Sequence, residues 1–286
     1  MLRNLLNAIT RKQPHTRIAF ERTGDGIPGL PRGLFTINPD GSDCRQLRDS
    51  GESPKWSPNG KWISFIEKTK DNGWLPSVFV MRADGQNVRR LTFHHDVSSI
   101  PGAWSPGSKS LAYALWLWNE KRYQLCVVDV ETANWKPVIY TENEIYPNWS
   151  PAHKIVFTDS SGSRLIEVDE DGRNKNYSPT FQPGDIEPVW TYDGSKVVCG
   201  SNDGIVVMNA DGSDRKTLRS PQAAIQWAIS PDGESVVYTS SRERPQSGFE
   251  VFIVDLKDES KRNVVANPRK GNQEVDSRYV SWSPWL

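Results

Sequence analysis

Long apolar runs are missing from this chain of 286 residues. No stretch approaches the roughly 20 apolar residues that a helix needs to cross a bilayer, so no helical membrane span is expected. An excess of one charge is missing too. Lys plus Arg number 35 and Asp plus Glu number 35, whereas a generic nucleic-acid or anionic-membrane binder carries a basic excess. Cysteine is scarce: Cys44, Cys126 and Cys199 are far apart and lack metal-ligand spacing. That pattern fits buried or free thiols in a reducing compartment. The start, "MLRNLLNAITRKQPH", makes a poor signal peptide, because Arg3, Asn4 and Asn7 interrupt any apolar core. A cytoplasmic chain is therefore expected, with a periplasmic one left open for a processed form. Leu2, Leu5, Leu6 and Ile9 share one face of a possible short helix, read as a cap on the fold over residues 1–15. A membrane-surface or partner-binding helix is the alternative. There is no H-E-x-x-H, no Gly-rich phosphate loop and no dinucleotide fingerprint. No cofactor, resident metal or catalytic residue is expected.

A repeat is what the chain does have. Charged residues make up 24% and hydrophobic ones 36%, which fits a folded globular protein rather than disorder. "WSP" recurs at Trp56, Trp104, Trp149 and Trp282, "WTYDG" stands at Trp190, and "ISPDG" puts Ile229 in the Trp position. The spacings are 48, 45, 41, 39 and 53 residues, the range of a four-stranded propeller blade. Short runs rich in Val, Ile, Phe and Tyr follow each copy, as in "KWISFIEK" and "SVFVMRADG", with turn residues between them. The Asp-Gly pairs at Asp84, Asp171 and Asp211 read as hairpin turns between third and fourth strands. The copy at Trp282 has only its first strand before the chain stops. "TRIAFER", "GLFTINPDG" and "CRQLRD" near the other end match the three missing strands. The expectation is an all-β, six-bladed β-propeller over residues 16–286. Its blades have four strands, and the last is shared between both ends of the chain.

The stretches "CRQLRDSGESPKWSPNGKWISF" and "IVVMNADGSDRKTLRSPQAAIQWAISPDGESVVY" resemble the repeat of the TolB-like six-bladed β-propellers, also described as WD-like Pro-Asp repeats. The resemblance covers nearly the whole chain. It implies a propeller fold and a range of roles: the partner-binding domain of periplasmic TolB, the lid of prolyl-oligopeptidase-like enzymes, or a free-standing scaffold. An enzyme of the second kind needs an α/β-hydrolase domain with a G-x-S-x-G elbow, and the sequence has none. The departures from TolB are the poor signal peptide and the lack of an N-terminal α/β domain.

Candidate binding residues gather in the segments between blades. Glu52, Glu142, Glu144, Asp185, Glu187, Glu274, Asp276 and Arg278 fall there, and are read as a charged rim at one channel mouth that is solvated and keeps the face soluble, with a site for a cation or a basic peptide segment as the alternative. His94, His95 and Asp96 form the densest polar cluster, in the long loop "FHHDVSSIPGAW". Imidazole and carboxylate together suit a metal or acid–base chemistry, but adjacent residues on a strand point to opposite sides. A packing or partner-contacting loop is the preferred reading. His153 is expected to be exposed in the turn after Trp149, and "DEDG" at 169–172 is read as a hairpin turn rather than a calcium loop. Trp56, Trp104, Trp149, Trp190, Ile229 and Trp282 are read as structural packing between blades, with Trp227 near the same position. Trp116 and Trp118 alternate before "NEKRY" and are read as buried between blades, with an exposed binding patch as the alternative. The functional expectation is a monomeric, non-catalytic scaffold for a protein or peptide, without nucleic acid. The alternative is a hydrolase, lyase or carbohydrate-binding propeller with its site at the channel mouth.

Overall fold

The computed structural model describes residues 16–23, 31–93, 97–100, 102–143, 145–158, 164–218, 224–241, 248–265, 276–284 and 286. The expected helix over residues 1–15 lies outside these. Among the described residues, six sheets of four antiparallel strands form the six blades of a propeller. Blade 1 runs Ser277–Trp282, Ile18–Arg22, Gly33–Ile37 and Arg45–Arg48 from the innermost strand outward. Blade 2 is Glu52–Trp56, Trp62–Lys68, Pro76–Arg82 and Arg89–Arg90. Blade 3 is Val97–Ile100, Ser110–Leu117, Arg122–Asp129 and Trp135–Thr141. Blade 4 is Asn148–Trp149, Ile155–Thr158, Leu165–Val168 and Asn176–Tyr177. Blade 5 is Ile186–Trp190, Lys196–Ser201, Gly204–Asn209 and Lys216–Leu218. Blade 6 is Ala224–Ile229, Ser235–Ser240, Glu250–Asp255 and Lys261–Val265.

The two ends of the chain share blade 1. Ile18 pairs with Trp282 and Ala19 with Ser281, so strand hydrogen bonds close the ring. Middle strands are buried on both faces because blades stack on each other, which is why they read as near-continuous apolar runs. Ile18, Phe20 and Phe35 of blade 1 pack with Val237, Val251 and Ile253 of blade 6.

Each repeat turn is built on one device. After the Trp position, the N–H of a Ser or Thr donates to a backbone carbonyl at the start of the next strand, and its hydroxyl accepts the N–H of that same residue. Ser57 Oγ accepts from the Trp62 N–H at 3.0 Å, Ser105 from Ser110 at 3.1 Å, Ser150 from Lys154 at 3.2 Å, Thr191 from Lys196 at 3.0 Å and Ser230 from Ser235 at 2.9 Å. The Asp-Gly turns join third and fourth strands as expected: the N–H groups of Gly85, Gly172 and Gly212 donate to Arg82, Asp169 and Asn209 at 2.9 Å. Gly172 sits at φ 82°, and a Cβ there would run into the Val138 carbonyl of blade 3.

One expectation needs correcting. "FHHDVSSIPGAW" is not loop throughout, because Val97–Ile100 is the innermost strand of blade 3. Val97 pairs with Leu117 and Ile100 with Ala114. The strand stops before the repeat Trp, and Trp104 rejoins the sheet through a single bridge to Leu111.

Candidate functional site

The innermost strands enclose a central channel. At the end where these strands finish, the repeat positions form an apolar cup of about 290 Å³. Trp56, Trp104, Trp149, Trp190 and Trp282 line it, with Pro58, Pro106 and Pro151 from the repeat turns. Trp56, Trp104, Trp149, Ile229 and Trp282 are buried, in keeping with packing between blades. Trp190 is only half-buried and meets Phe181 edge-on at 5.9 Å. Trp104 Nε1 donates to the Lys55 carbonyl of the preceding blade at 3.0 Å, and Trp227 Nε1 donates to the Glu187 carbonyl at the same distance. Gly200 makes room for Trp227, since a Cβ there would collide with the indole ring.

Closer to the other mouth the channel narrows and becomes polar. Ser53, Lys55, Tyr146, Glu187, Gln226 and Tyr279 line it. Three of these hold left-handed backbone: Ser53 at φ 55°, Glu187 at φ 48° and Tyr279 at φ 51°. Each lies three residues before the repeat position of its blade. The pairing register slips at the same level, between Glu52 and Lys55 and between Ile186 and Val189, and opposite Tyr279 between Ala19 and Glu21. Such bulges re-aim side chains, here toward the channel. Left-handed backbone on residues other than glycine costs about 1–3 kcal/mol each and concentrates at functional sites.

Charge is coupled across this section. Burial pushes the Glu187 carboxyl up, and the Lys55 ammonium opposes the shift. Burial pushes Lys55 down, and Glu187 opposes that. Gln226 Nε2 donates to Glu187 at 3.2 Å. Beside them the Glu21 carboxyl is raised to about 7, chiefly by burial and further by Glu52. The Ser53 N–H, Arg278 and Lys68 hold it back.

The residues expected on the rim fall into different settings. Glu52 is half-buried and pairs with Lys68 at 3.3 Å. Glu187 is in the channel itself. Asp185 is 1% exposed, and Arg215 grips both of its oxygens at 2.9 and 2.6 Å. It is a buried clamp between two segments of blade 5, not the solvated rim charge expected. Asp276 accepts from the Phe249 N–H at 2.8 Å and pairs with Arg278, which stacks over Phe249 at 4.7 Å. His94, His95, Asp96, Glu144 and Glu274 lie outside the described residues. Among the described residues no group of three His, Cys, Asp or Glu could hold a metal ion. Glu21, Lys55, Gln226 and Tyr279 were missed. Aligning the repeats on the Trp position would have exposed Lys55, because it stands where the other copies have Ala103, Asn148, Val189, Ala228 and Ser281.

The two faces of the ring differ. Successive strands alternate in direction, so the inter-blade segments share a face with the hairpins joining second and third strands. Ten large apolar side chains are exposed among the described residues. Seven lie on this loop face: Trp74, Phe93, Trp118, Tyr140, Tyr146, Tyr177 and Ile225. All but Ile225 belong to blades 2–4 and their connections. Trp118 meets Trp116 edge-on at 5.9 Å, and Trp116 packs on Tyr123 at 4.6 Å.

Fold and channel together define a six-bladed β-propeller with a polar channel and an aromatic loop face. More closely, its propeller is similar to that of TolB. A stretch of 75 residues, 26% of the chain, is 40% identical to the Tol-Pal system protein TolB 1 of Novosphingobium aromaticivorans. That match spans only 16% of the relative's length. TolB from Acinetobacter baumannii superposes with a TM-score of 0.77 at 19% identity, over 98% of this chain and 70% of that one. A hydrazine synthase from Kuenenia stuttgartiensis superposes with a TM-score of 0.66 at 12% identity, over 94% of this chain and 47% of that one, a likeness of fold alone. No family model matches the chain.

Proposed function

We propose that the chain is a non-catalytic binding scaffold for a protein or peptide, which it meets with its loop face and the adjoining channel mouth. The observation that carries this reading is the one-sided exposure of Trp74, Phe93, Trp118, Tyr140, Tyr146 and Tyr177. Exposed aromatic side chains gathered on one surface are the compositional mark of a protein interface. In this reading Glu52, Glu187, Asp276 and Arg278 orient the partner. The cytoplasmic location expected from the sequence has no support from the comparisons. The resemblance to periplasmic TolB favours the periplasm. A photo-crosslinking residue placed at Phe93 or Trp118, and for contrast at Val88 or Trp135 on the opposite face, tests the reading in cells. Discrete protein adducts are expected from the first pair. Adducts from the second pair alone refute it.

A second reading is an enzyme with its site in the channel. The left-handed backbone at Ser53, Glu187 and Tyr279, with a buried carboxyl at Glu21 and a half-buried one at Glu187, favours it. A small molecule turned over by the wild type and not by Glu187→Gln, without protein adducts on the loop face, would establish it.

A further inference from the structure

Lys55 breaks the repeat. It stands directly before Trp56 on the innermost strand of blade 2, and none of the other five copies has a charged residue at that position. It lines both the apolar cup and the polar narrowing beyond it, as do Asn148, Val189 and Trp227, so the two sections are continuous. The narrowing holds about 40 Å³ and the cup about 290 Å³. Small-molecule sites start at about 300 Å³ and combine apolar walls with a few placed polar groups.

Glu187 lines the same narrowing, close enough for its charge and that of Lys55 to influence each other. The two form no ion pair. Among the described residues the Lys55 ammonium makes no hydrogen bond or ion pair, and the Glu187 carboxylate has only the bond from Gln226. Glu187 is fixed in place by that bond, by its left-handed backbone and by the register slip between Ile186 and Val189. Both side chains are half-buried. A charge held partly out of water without a partner is unfavourable, and a ligand that supplies the partner is favoured.

We propose that the channel holds a free α-amino acid with a large apolar side chain, its carboxylate against Lys55, its ammonium against Glu187 and its side chain among the tryptophans of the cup. One cation and one anion, set apart, match a zwitterion. A plain carboxylate would leave Glu187 unanswered, and a plain amine would leave Lys55 so. Asp193 also lines the cup, but it is exposed in its repeat turn, where one oxygen accepts from the Thr191 and Ser195 hydroxyls. Tyr192 stands where the other five copies have Pro, and its hydroxyl donates to the Trp282 carbonyl. That contact spans the cup from blade 5 to blade 1 and bounds the side chain it accepts. The site does not rest on the scaffold reading and can fail without it.

Isothermal titration calorimetry on the intact chain tests the site with phenylalanine, tryptophan, leucine and alanine. Two analogues of phenylalanine, each lacking one charge, are titrated beside them: 3-phenylpropionate and phenethylamine. At least one of the three large amino acids is expected to bind, and alanine about tenfold or more weakly than it. Removing either charge should weaken binding about tenfold or more, whether from the ligand or from the protein through Lys55→Met or Glu187→Gln. Thermal melts establish that the variants are folded, and the analogues on the wild type keep the test decisive if a variant is not. No binding by any of the four amino acids would overturn the proposal. So would an analogue that binds as tightly as phenylalanine, or undiminished binding in either folded variant.

Discussion

The hydroxyl of Ser283 accepts a hydrogen bond from the Arg17 N–H at 2.7 Å, across 266 residues of sequence. The Ser283 N–H returns one to the Arg17 carbonyl at 2.8 Å. This is the repeat turn of the other five blades, assembled from opposite ends of the chain. "WSP" near the end thus has a use without a strand following it, because the next strand is Ile18–Arg22. Ser283 is fully buried, so Ser283→Ala leaves the Arg17 N–H without a partner. Urea denaturation should show a loss of about 1–3 kcal/mol. Ser57→Ala, the same change within one blade, should cost a similar amount. Deleting residues 277–286 should prevent cooperative folding, because it removes the innermost strand of blade 1 and leaves the edge of Ile18–Arg22 unpaired.

The repeat tryptophans should not be equivalent. Trp104 is buried and staples blade 3 to the Lys55 carbonyl of blade 2, so Trp104→Ala should cost about 3–5 kcal/mol. Trp190 is half-buried, and Trp190→Ala should cost clearly less. Equal melting temperatures for the two variants would show that the indole staple contributes nothing.

Stability should depend on pH through Glu21. Its carboxyl titrates near 7 in the fold against an ordinary value of 4.5. The folded state therefore holds a proton that the unfolded chain has already released between those values. The contribution is fully present below about 4.5, declines as pH rises toward 7, and is absent above it. The upper bound is about 3 kcal/mol. Urea midpoints measured from pH 5 to pH 8 should fall more steeply for wild type than for Glu21→Gln, which stays neutral and can still accept from the Ser53 N–H. Parallel profiles would mean that the Glu21 carboxyl is ionised in the fold at neutral pH.

Architecture was legible in the sequence because each blade repeats the same local chemistry. Trp or Ile before Ser-Pro, a near-continuous apolar run and an Asp-Gly turn all point to one answer. The innermost strand of blade 3 was harder to see: Val97–Ile100 is separated from Trp104 by Pro101 and Gly102, so it read as loop. The channel was harder still. Ser53, Glu187 and Tyr279 face it through bulges, and a bulge breaks the two-residue period from which a strand's inward side is read. Charge in an inter-blade segment was a poor guide to exposure, as Asp185 shows, because its partner Arg215 lies 30 residues away, just before the outermost strand of the blade.

Asp185 and Glu52 should differ in how strongly they respond to loss of charge. Arg215 grips the buried Asp185 carboxylate with two hydrogen bonds, and the Gln182 N–H adds a third at 2.8 Å. Asp185→Asn removes the charge that this buried geometry serves, and breaking a buried pair costs about 3–5 kcal/mol. Glu52 pairs with Lys68 at 3.3 Å with both side chains about half exposed, so Glu52→Gln should change stability by less than about 1 kcal/mol. Thermal and urea unfolding of the two variants provide the check. The contrast also governs how the loop face is probed. Charge reversal at Glu52 tests partner capture on an intact ring, whereas reversal at Asp185 would lose capture through unfolding. A stable Asp185→Lys protein would show that the Arg215 clamp does not hold blade 5 together.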